Sequence, residues 1–421
     1  MKILQVHKYF NRKRGGGSVT ALLEIVKLFS KKGHEISIFS MQDENNAHSP
    51  FEKYFTSHFD LNEKINLVSR LKQSLKIIYN FEARKKMGEL LRDIKPKIVH
   101  LHNIYHYLSP SIIGIIKKNK IPIVMTAHDY KIICPNYKLF VRGKICEKCK
   151  GGKYYNCVRN RCLKNSLSAS LVAAVEAYVH KFLKSYAKID LFIAPSLFMK
   201  NKLVEFGIPE QKIRQISNPI DSDGIKRNIS DMNSPGEESY FLYYGRLSEE
   251  KGLADLIRAT AKLEEDGILG ENNLHIVGHG PEEENLKKLT TELGMENKIK
   301  FLGFKLGKEL LNAICRSKFV VIPSIWYDNS PMVAIESQLC KKPLIVSDLG
   351  GTRELILEGE TGLVFEAGNT SDLADKIKKM LALTKEERTL MGQRGMENIS
   401  RINDNEKIYQ AVLETYNYLL K

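Results

Sequence analysis

KFVVIPSIWYDNSPMVAIESQLCKKPLIVSDLGGTRE, residues 318–354, decides how the rest of the chain is read. Its hydrophobic pattern gives a strand (Phe319 to Ile322), a polar loop, a helix from about Pro331, a second strand (Pro343 to Ser347) and a Gly-Gly turn into another helix. That is a βαβ unit. Both loops of such a unit leave the carboxyl edge of a parallel sheet, where ligands bind. Asp328, Asn329, Ser330, Glu336, Gly350 and Gly351 are therefore expected around one pocket. Ser330 suits an N-cap and Pro331 the first helical position, which leaves backbone N–H groups facing an oxygen-rich or anionic ligand. Glu336, in the second helical turn, is placed to hold sugar or ribose hydroxyls.

Working outward, 421 residues with 43% hydrophobic and 27% charged side chains can build two or three domains with sizeable cores. No apolar run approaches the ~18 residues that a membrane span needs. The start, MKILQVHKYFNRKRGGG, puts its basic cluster after its apolar stretch, the reverse of a secretory signal, so the cytoplasm is the expected compartment. Residues 1–220 hold 39 Lys and Arg against 16 Asp and Glu, whereas the remainder holds 26 against 33, so the amino-terminal half carries the positive charge. Anionic lipid headgroups, a phosphorylated acceptor or nucleic acid would suit that half, and so would plain solvent.

The amino-terminal half begins as a doubly wound sheet does. A strand at Lys2–His7 is followed by NRKRGGGSVT, a helical pattern closing at Gly33 and a strand at Glu35–Phe39. Gly15, Gly16 and Gly17 form a loop that a ligand could approach closely, but their spacing misses GxGxxG. Residues 61–94 read as one helix rich in Lys and Arg (Arg70, Lys72, Lys76, Arg84, Lys85, Lys86), suited to a membrane surface or simply to solvent. Strands at Lys97–Asn103 and Ile121–Tyr130 carry His100, His102, His128 and Asp129 at their ends, with His128 and Asp129 the stronger pair of site candidates.

Five of the seven cysteines then cluster at Cys134, Cys146, Cys149, Cys157 and Cys162. The spacing C-x2-C-x7-C-x4-C of the last four has metal-ligand character. A structural zinc, an iron–sulfur cluster and reduced thiols all remain open. The segment SDMNSPGEES (Ser230 to Ser239) has linker composition, and Asp221-Ser222-Asp223 beside it reads as a loop turn.

A second α/β alternation starts at YFLYYGRLSEEKG. Arg246 and Lys251 flank a helix start at Ser248, and two cations at a strand-to-helix turn suit a diphosphate. LHIVGHGP (Leu274 to Pro281) and IKFLGF (Ile299 to Phe304) supply two more strands, and residues 401–421 a helix able to pack back on the first half.

GGG (Gly15–Gly17), HLHN (His100–Asn103), AHD (Ala127–Asp129), GRLSEEKG (Gly245–Gly252), IVGHGP, PSIWYDNSPMVAIES, SDLGGTRE and the ETG turn occur in the order found in retaining glycosyltransferases of family 4. The chain resembles that family, in its subset with a cysteine-cluster insert, over nearly its whole length. The resemblance implies the GT-B fold: an α/β protein of two Rossmann-like domains with doubly wound parallel sheets facing across a cleft. Residues 1–220 would form an acceptor-binding domain with the cysteine-rich insert at 134–162, residues 221–400 a domain for the nucleotide-sugar, and 401–421 the returning helix.

Carried over by position, Arg246 and Lys251 resemble the diphosphate pair and Glu336 the ribose-binding glutamate. Asp328 stands where the family has the first Glu of E-x7-E, a departure toward a shorter acid. His128 matches the histidine near the donor sugar, and Gly16 and Gly17 match the amino-terminal glycines. Gly245, Gly278, Asn329, Ser330, Pro331 and Met332 complete the implied donor site.

The implied reaction is a metal-independent hexosyl transfer (EC 2.4) from UDP- or GDP-sugar to a glycan or lipid-linked acceptor in surface polysaccharide synthesis. The enzyme would work in the cytoplasm, peripherally on the inner face of the cell membrane and against an anionic lipid surface. No nucleic-acid partner is expected, and no cofactor beyond a structural zinc at Cys146, Cys149, Cys157 and Cys162. Two other readings are a GT-B nucleotide-sugar epimerase and a non-enzymatic lipid- or nucleic-acid-binding scaffold using the basic half.

Overall fold

Short runs of β-branched and aromatic residues with no polar face form strands buried on both sides, the pattern of parallel sheets covered by helices. A computed structural model describes residues 1–59, 66–232 and 236–421. Residues 61–65 of the expected 61–94 helix and 233–235 of the expected linker lie outside the described residues. The chain forms two units: Met1–Val141 with Cys146–Ile220 and Asn405–Lys421, and Arg142–Ile145 with Asp221–Asp404.

In the first unit β1 (Lys2–Val6), β2 (Glu35–Phe39), β3 (Ile98–Leu101), β4 (Ile123–Thr126), β5 (Leu191–Ala194) and β6 (Ile213–Gln215) make one parallel sheet, ordered β2-β1-β3-β4-β5-β6. Ile3, Ile25, Phe29, Ile98, Val124 and Ile193 pack there with Ile408, Tyr409, Val412 and Tyr416, the apolar stripe of the helix Asn405–Leu420.

Two local expectations change in this unit. The single helix expected over 61–94 is two, Leu67–Ile78 and Phe81–Ile94, because the Asn80 side chain accepts the Ala83 N–H at 2.9 Å and starts the second. The glycine-rich stretch is not a loop: a helix spans Arg12–Lys31 and is broken inside by Gly16 (φ 56, ψ −154).

The second unit contains β7 (Tyr240–Tyr244), β8 (Asn273–Val277), β9 (Ile299–Phe301), β10 (Val320–Ile322), β11 (Leu344–Ser347) and β12 (Gly362–Phe365), all parallel and ordered β9-β8-β7-β10-β11-β12. Phe241, Leu256, Ile257, Leu274, Phe319, Val321, Ile345 and Ile377 fill its core.

Helix starts differ from expectation here too. The helix after β10 runs Met332–Leu339; Pro331, with ψ 121, sits at the cap position and no side chain caps it, so Ser330 is not the N-cap. Glu249–Lys251 is one 3-10 turn and the α-helix begins only at Leu253, after Gly252, while Ser248 makes no capping bond. The Gly-Gly turn enters a 3-10 helix, Gly350–Leu355, rather than an α-helix. Asp221 accepts the Gly224 N–H at 3.2 Å and opens a helix, Ser222–Ser230, where a loop turn was expected. The far end of the linker-like segment is anchored in this unit: Glu237 pairs with Arg388, and the Glu238 N–H donates to Arg316 O at 2.8 Å.

Strand order reverses between β1 and β3 in the first sheet and between β7 and β10 in the second. At such switch points neighbouring loops diverge and leave a crevice at the carboxyl ends of the strands.

Candidate active site

The second switch point gathers the residues singled out in the sequence. The turn after β7 is held to the loop after β10 by the Ile325 N–H, which donates to Glu250 O at 3.0 Å. That bond brings Lys251 over the β10 loop, where its ammonium pairs with Asp328 Oδ2. Ser324 Oγ reaches the same carboxylate oxygen at 3.2 Å, and the Trp326 ring centre lies 5.4 Å from Lys251 Nζ. Asp328 and Asn329 are buried and Arg246 is exposed.

Glycines permit this closeness. A Cβ on Gly350 (φ 70) would stand 2.3 Å from Asp328 O, an oxygen that accepts the Gly351 N–H at 2.7 Å. A Cβ on Gly278 (φ 142) would stand 1.8 Å from Gly245 O. The loops after β7, β8, β10 and β11 therefore close together on backbone contacts that no larger residue permits.

Glu336 sits beside the end of β7. The Tyr244 hydroxyl, bonded to Val333 O at 2.8 Å and Ser337 Oγ at 3.0 Å, has its pKa pushed well up by burial and then by the Glu336 charge. Four polar groups on the same strand-exit loops, Ser248 Oγ, Trp326 Nε1, Ser347 Oγ and Thr352 Oγ1, are buried without a hydrogen-bond partner in the protein. Such groups are costly unless a ligand or water meets them. Sequence reasoning gave Ser248 only as a helix start and did not single out Trp326, Ser347 or Thr352, although all four lie within the motifs quoted above.

In the first unit a chain of histidines runs across the carboxyl ends of β1, β3 and β4. His102 bonds Gln5 Oε1 through Nε2 at 2.9 Å and His128 Nε2 through Nδ1 at 2.9 Å. With Gln5 Oε1 accepting, His102 carries its proton on Nε2, takes the His128 Nε2–H on Nδ1 and leaves His128 Nδ1 as an acceptor. Burial lowers the pKa of His128 to about 3, so the ring is neutral near pH 7.

Two other strand-end candidates have separate partners. Asp129 does not partner His128; its Oδ1 accepts the Lys131 N–H at 2.9 Å. His100 is fully buried within β3 between Tyr416 Oη (2.7 Å) and Thr126 Oγ1 (2.8 Å), a core position rather than a strand-end site. Gln5, His7 and Ser18 were missed. His7 Nε2 lies 3.1 Å from Ser18 Oγ; Gln5 and His7 showed only as polar residues inside or just after an apolar strand, and Ser18, in the helix Arg12–Lys31, gave no such signal. Gly16 and Gly17 are exposed, and Gly16 O accepts from Thr20 Oγ1 at 3.4 Å.

The cysteine-rich segment packs around Cys149 and Cys157 with Ala173, Ala174, Tyr154 and Cys162. Cys134 is buried as well, whereas Cys146 is half-buried. A hydrogen bond to the Cys162 thiol, then burial, raises Cys157, and burial pushes Cys149 to about 12 and Cys134 to about 11. None of these cysteines is in a disulfide, and among the described residues no three His, Cys, Asp or Glu side chains stand together as a metal site. A cavity of about 310 Å³ next to the segment is lined by Cys149, Lys131, Glu176, His180 and Lys212, and by none of the expected donor residues.

The family model described as Glycosyltransferase Family 4 matches residues 15–223, and that described as Glycosyl transferases group 1 matches 225–397. The chain belongs to glycosyltransferase family 4. This family-4 chain is 24% identical over 373 residues to the amylovoran biosynthesis glycosyltransferase AmsK of Erwinia amylovora, covering 85% of this chain and 86% of AmsK. It is 33% identical over 208 residues (48% of this chain, 54% of the other) to the Campylobacter jejuni N-acetylgalactosamine-N,N'-diacetylbacillosaminyl-diphospho-undecaprenol 4-alpha-N-acetylgalactosaminyltransferase. In structure it resembles Anabaena HepE, solved with UDP, at TM-score 0.66 and 18% identity, over 99% of this chain and 100% of HepE. With its two parallel Rossmann-like sheets, the family-4 chain has the GT-B fold.

Proposed function

We propose that this glycosyltransferase moves a hexose from a nucleotide diphosphate sugar, with UDP the preferred nucleotide, to a glycan or lipid-linked acceptor, with retention at the anomeric carbon. The carrying observation is the Lys251–Asp328 pair at the switch point, with Glu336 beside β7 and unpartnered polar groups on the same loops. UDP is favoured because HepE was solved with it, and a lipid-linked acceptor because the Campylobacter relative's name specifies diphospho-undecaprenol. Surface polysaccharide synthesis is favoured by the name of AmsK. Among the described residues no helix is long and apolar enough to cross a membrane; the proposed site of action is the cytoplasmic face, with peripheral attachment.

Charge dictates the roles. As the bond between the anomeric carbon and the phosphate oxygen breaks, negative charge grows on the diphosphate, and Lys251 with Arg246 meets it. Preorganised charge of this kind is usually the largest catalytic contribution. Asp328 accepts hydroxyls of the sugar, Glu336 accepts the ribose hydroxyls, and Asn329, Ser330 and Met332, on either side of Pro331, present backbone N–H groups to the phosphate. The acceptor oxygen bonds to the anomeric carbon on the face that the phosphate leaves, and its proton passes to the departing phosphate oxygen. His128, neutral and held by His102, accepts a sugar hydroxyl at Nδ1. No step requires a divalent metal. Cys146, Cys149, Cys157 and Cys162 are the side chains proposed to hold a structural zinc, which would take no part in the transfer step.

A panel of UDP-, GDP-, ADP- and dTDP-sugars in thermal shift tests the reading, since a ligand at 100 times its Kd stabilises by about 2.7 kcal/mol. UDP-sugars should raise Tm, and NMR of the product should show the donor's anomeric configuration, with or without EDTA. An inverted product or an EDTA-abolished reaction would overturn the mechanism, and a shift with GDP-sugars alone would overturn the nucleotide.

A further inference from the structure

The helix Leu167–Phe182 buries one face, which carries Ser170, Ala173, Ala174, Glu176 and His180. Its other face is unusual. Leu167, Leu171, Val175, Tyr178 and Phe182, at steps of four and three, form a solvent-exposed apolar stripe, with Phe182 87% and Leu171 52% exposed. The neighbouring helix Leu67–Ile78 packs against it, with His180 Nε2 2.8 Å from Ile78 O, and exposes Leu71 (63%) and Leu75 (59%). Two adjacent helices thus present leucines and aromatics outward, where a soluble surface carries polar residues.

Charge identifies what covers this face. From Lys148 to Lys188 the chain holds nine Lys and Arg and one carboxylate, Glu176, which is buried against Lys131. From Asn66 to Phe81 there is no carboxylate at all. Lys153, Arg159, Arg161, Lys164, Lys181 and Lys184 are exposed around the stripe. Lys150 pairs with Glu205 and Lys76 with Glu82, but the six exposed cations named above still outnumber the acids beside the stripe, and apolar side chains next to such an excess suit an anionic bilayer: leucines and aromatics enter the headgroup boundary while Lys and Arg stems reach the phosphates. A second copy of the chain would bring the same cations against themselves.

We infer that this two-helix face docks on anionic lipid. This deepens the proposed function, since it would set the acceptor-binding half on the surface that displays a lipid-linked acceptor. Its test does not depend on sugar transfer. Full-length protein is sedimented with vesicles of phosphatidylglycerol and phosphatidylcholine, or of phosphatidylcholine alone, at low and high salt. The wild type should bind the anionic vesicles and release at high salt.

The pair Leu171→Glu/Phe182→Glu, and separately Lys181→Glu/Lys184→Glu, should lose binding by about tenfold or more with an unchanged melting curve, because all four side chains are exposed. UDP-sugar thermal shifts should stay as in the wild type; if they vanish in every protein including the wild type, the donor reading fails while the docking result stands. Equal vesicle binding by wild type and both variants would overturn the inference. So would wild-type self-association in light scattering that the leucine–phenylalanine pair abolishes while vesicle binding is absent, since the face would then belong to a second copy.

Discussion

Replacing Lys251 by Ala should destabilise the second unit through Asp328 before any substrate is considered. The Asp328 side chain is 10% exposed, and without the ammonium it keeps one side-chain bond, from Ser324 Oγ at 3.2 Å. Stranding a buried carboxylate costs roughly 3–5 kcal/mol when burial is complete. The Lys251 side chain is 22% exposed, so water partly replaces it, and the expected cost falls to about 2 kcal/mol. Asp328→Asn should cost less, about 1 kcal/mol, because a freed ammonium can turn to solvent. The double variant should be more stable than the sum of single losses predicts, with a coupling of about 1–2 kcal/mol.

The chain supplies its own probe. Trp326 is its single tryptophan and lies 5.4 Å from Lys251 Nζ, so intrinsic fluorescence in urea reports this unit and little else. A coupling below about 0.5 kcal/mol, within the scatter of independent sites, would refute the pair as a built interaction and with it the switch-point geometry. The same variants separate stability from chemistry. If Lys251 meets the leaving diphosphate, transfer should drop by about 10²–10³ under conditions where Lys251→Ala is still folded.

Three further outcomes are expected. Burial holds His100 at about 3 against an ordinary 6.5, so between those values this ring alone binds one more proton in the unfolded chain and contributes a stability loss of about 1.4 kcal/mol per unit on acidification below pH 6.5; His128, also at about 3, adds its own, and His100→Gln should reduce the slope of pH-dependent urea unfolding by about that one share. Gly278→Ala meets Gly245 O at 1.8 Å and should cost more than about 3 kcal/mol by Trp326 fluorescence, whereas Gly359→Ala (φ 78, open space) should cost about 1 kcal/mol; equal losses would mean that backbone strain, not the close approach, governs. Protein purified without chelator should carry about one zinc per chain by mass spectrometry, with Cys149→Ser losing it, and metal-free protein of unchanged Tm would leave the segment as reduced thiols.

Strands such as IVHL and LIVS were legible because each is a short, largely apolar run, and burial on both sides leaves little else for such a run to do, whereas IRQ, with two polar residues out of three, was not read as a strand. Helix starts were not legible, because they turn on single residues. Asn80 divides one amphipathic pattern into two helices, and an extended Pro331 moves a cap by one position while the apolar periodicity hardly changes.

The roles of Lys251, Asp328 and Glu336 entered through resemblance, and their individual chemistry suited a diphosphate and a sugar. Periodicity could not show that Lys251 and Asp328 pair across 77 residues, since the meeting depends on β10 lying beside β7, and strand order is set by the whole sheet. The histidine chain was half legible for the same reason. His102 and His128 stand out in HLHN and AHD, but their partner Gln5 looks like an ordinary interruption of a strand until β1 is placed next to β3. The two sheets thus use one device. Each puts its first strand at the reversal of order, so that residues far apart in sequence meet at the carboxyl edge. In the second sheet that edge holds a cation and an acid, and in the first a neutral imidazole fixed by its neighbours. Losing Gln5 should therefore weaken the hold on His128 without touching any group proposed to contact the donor.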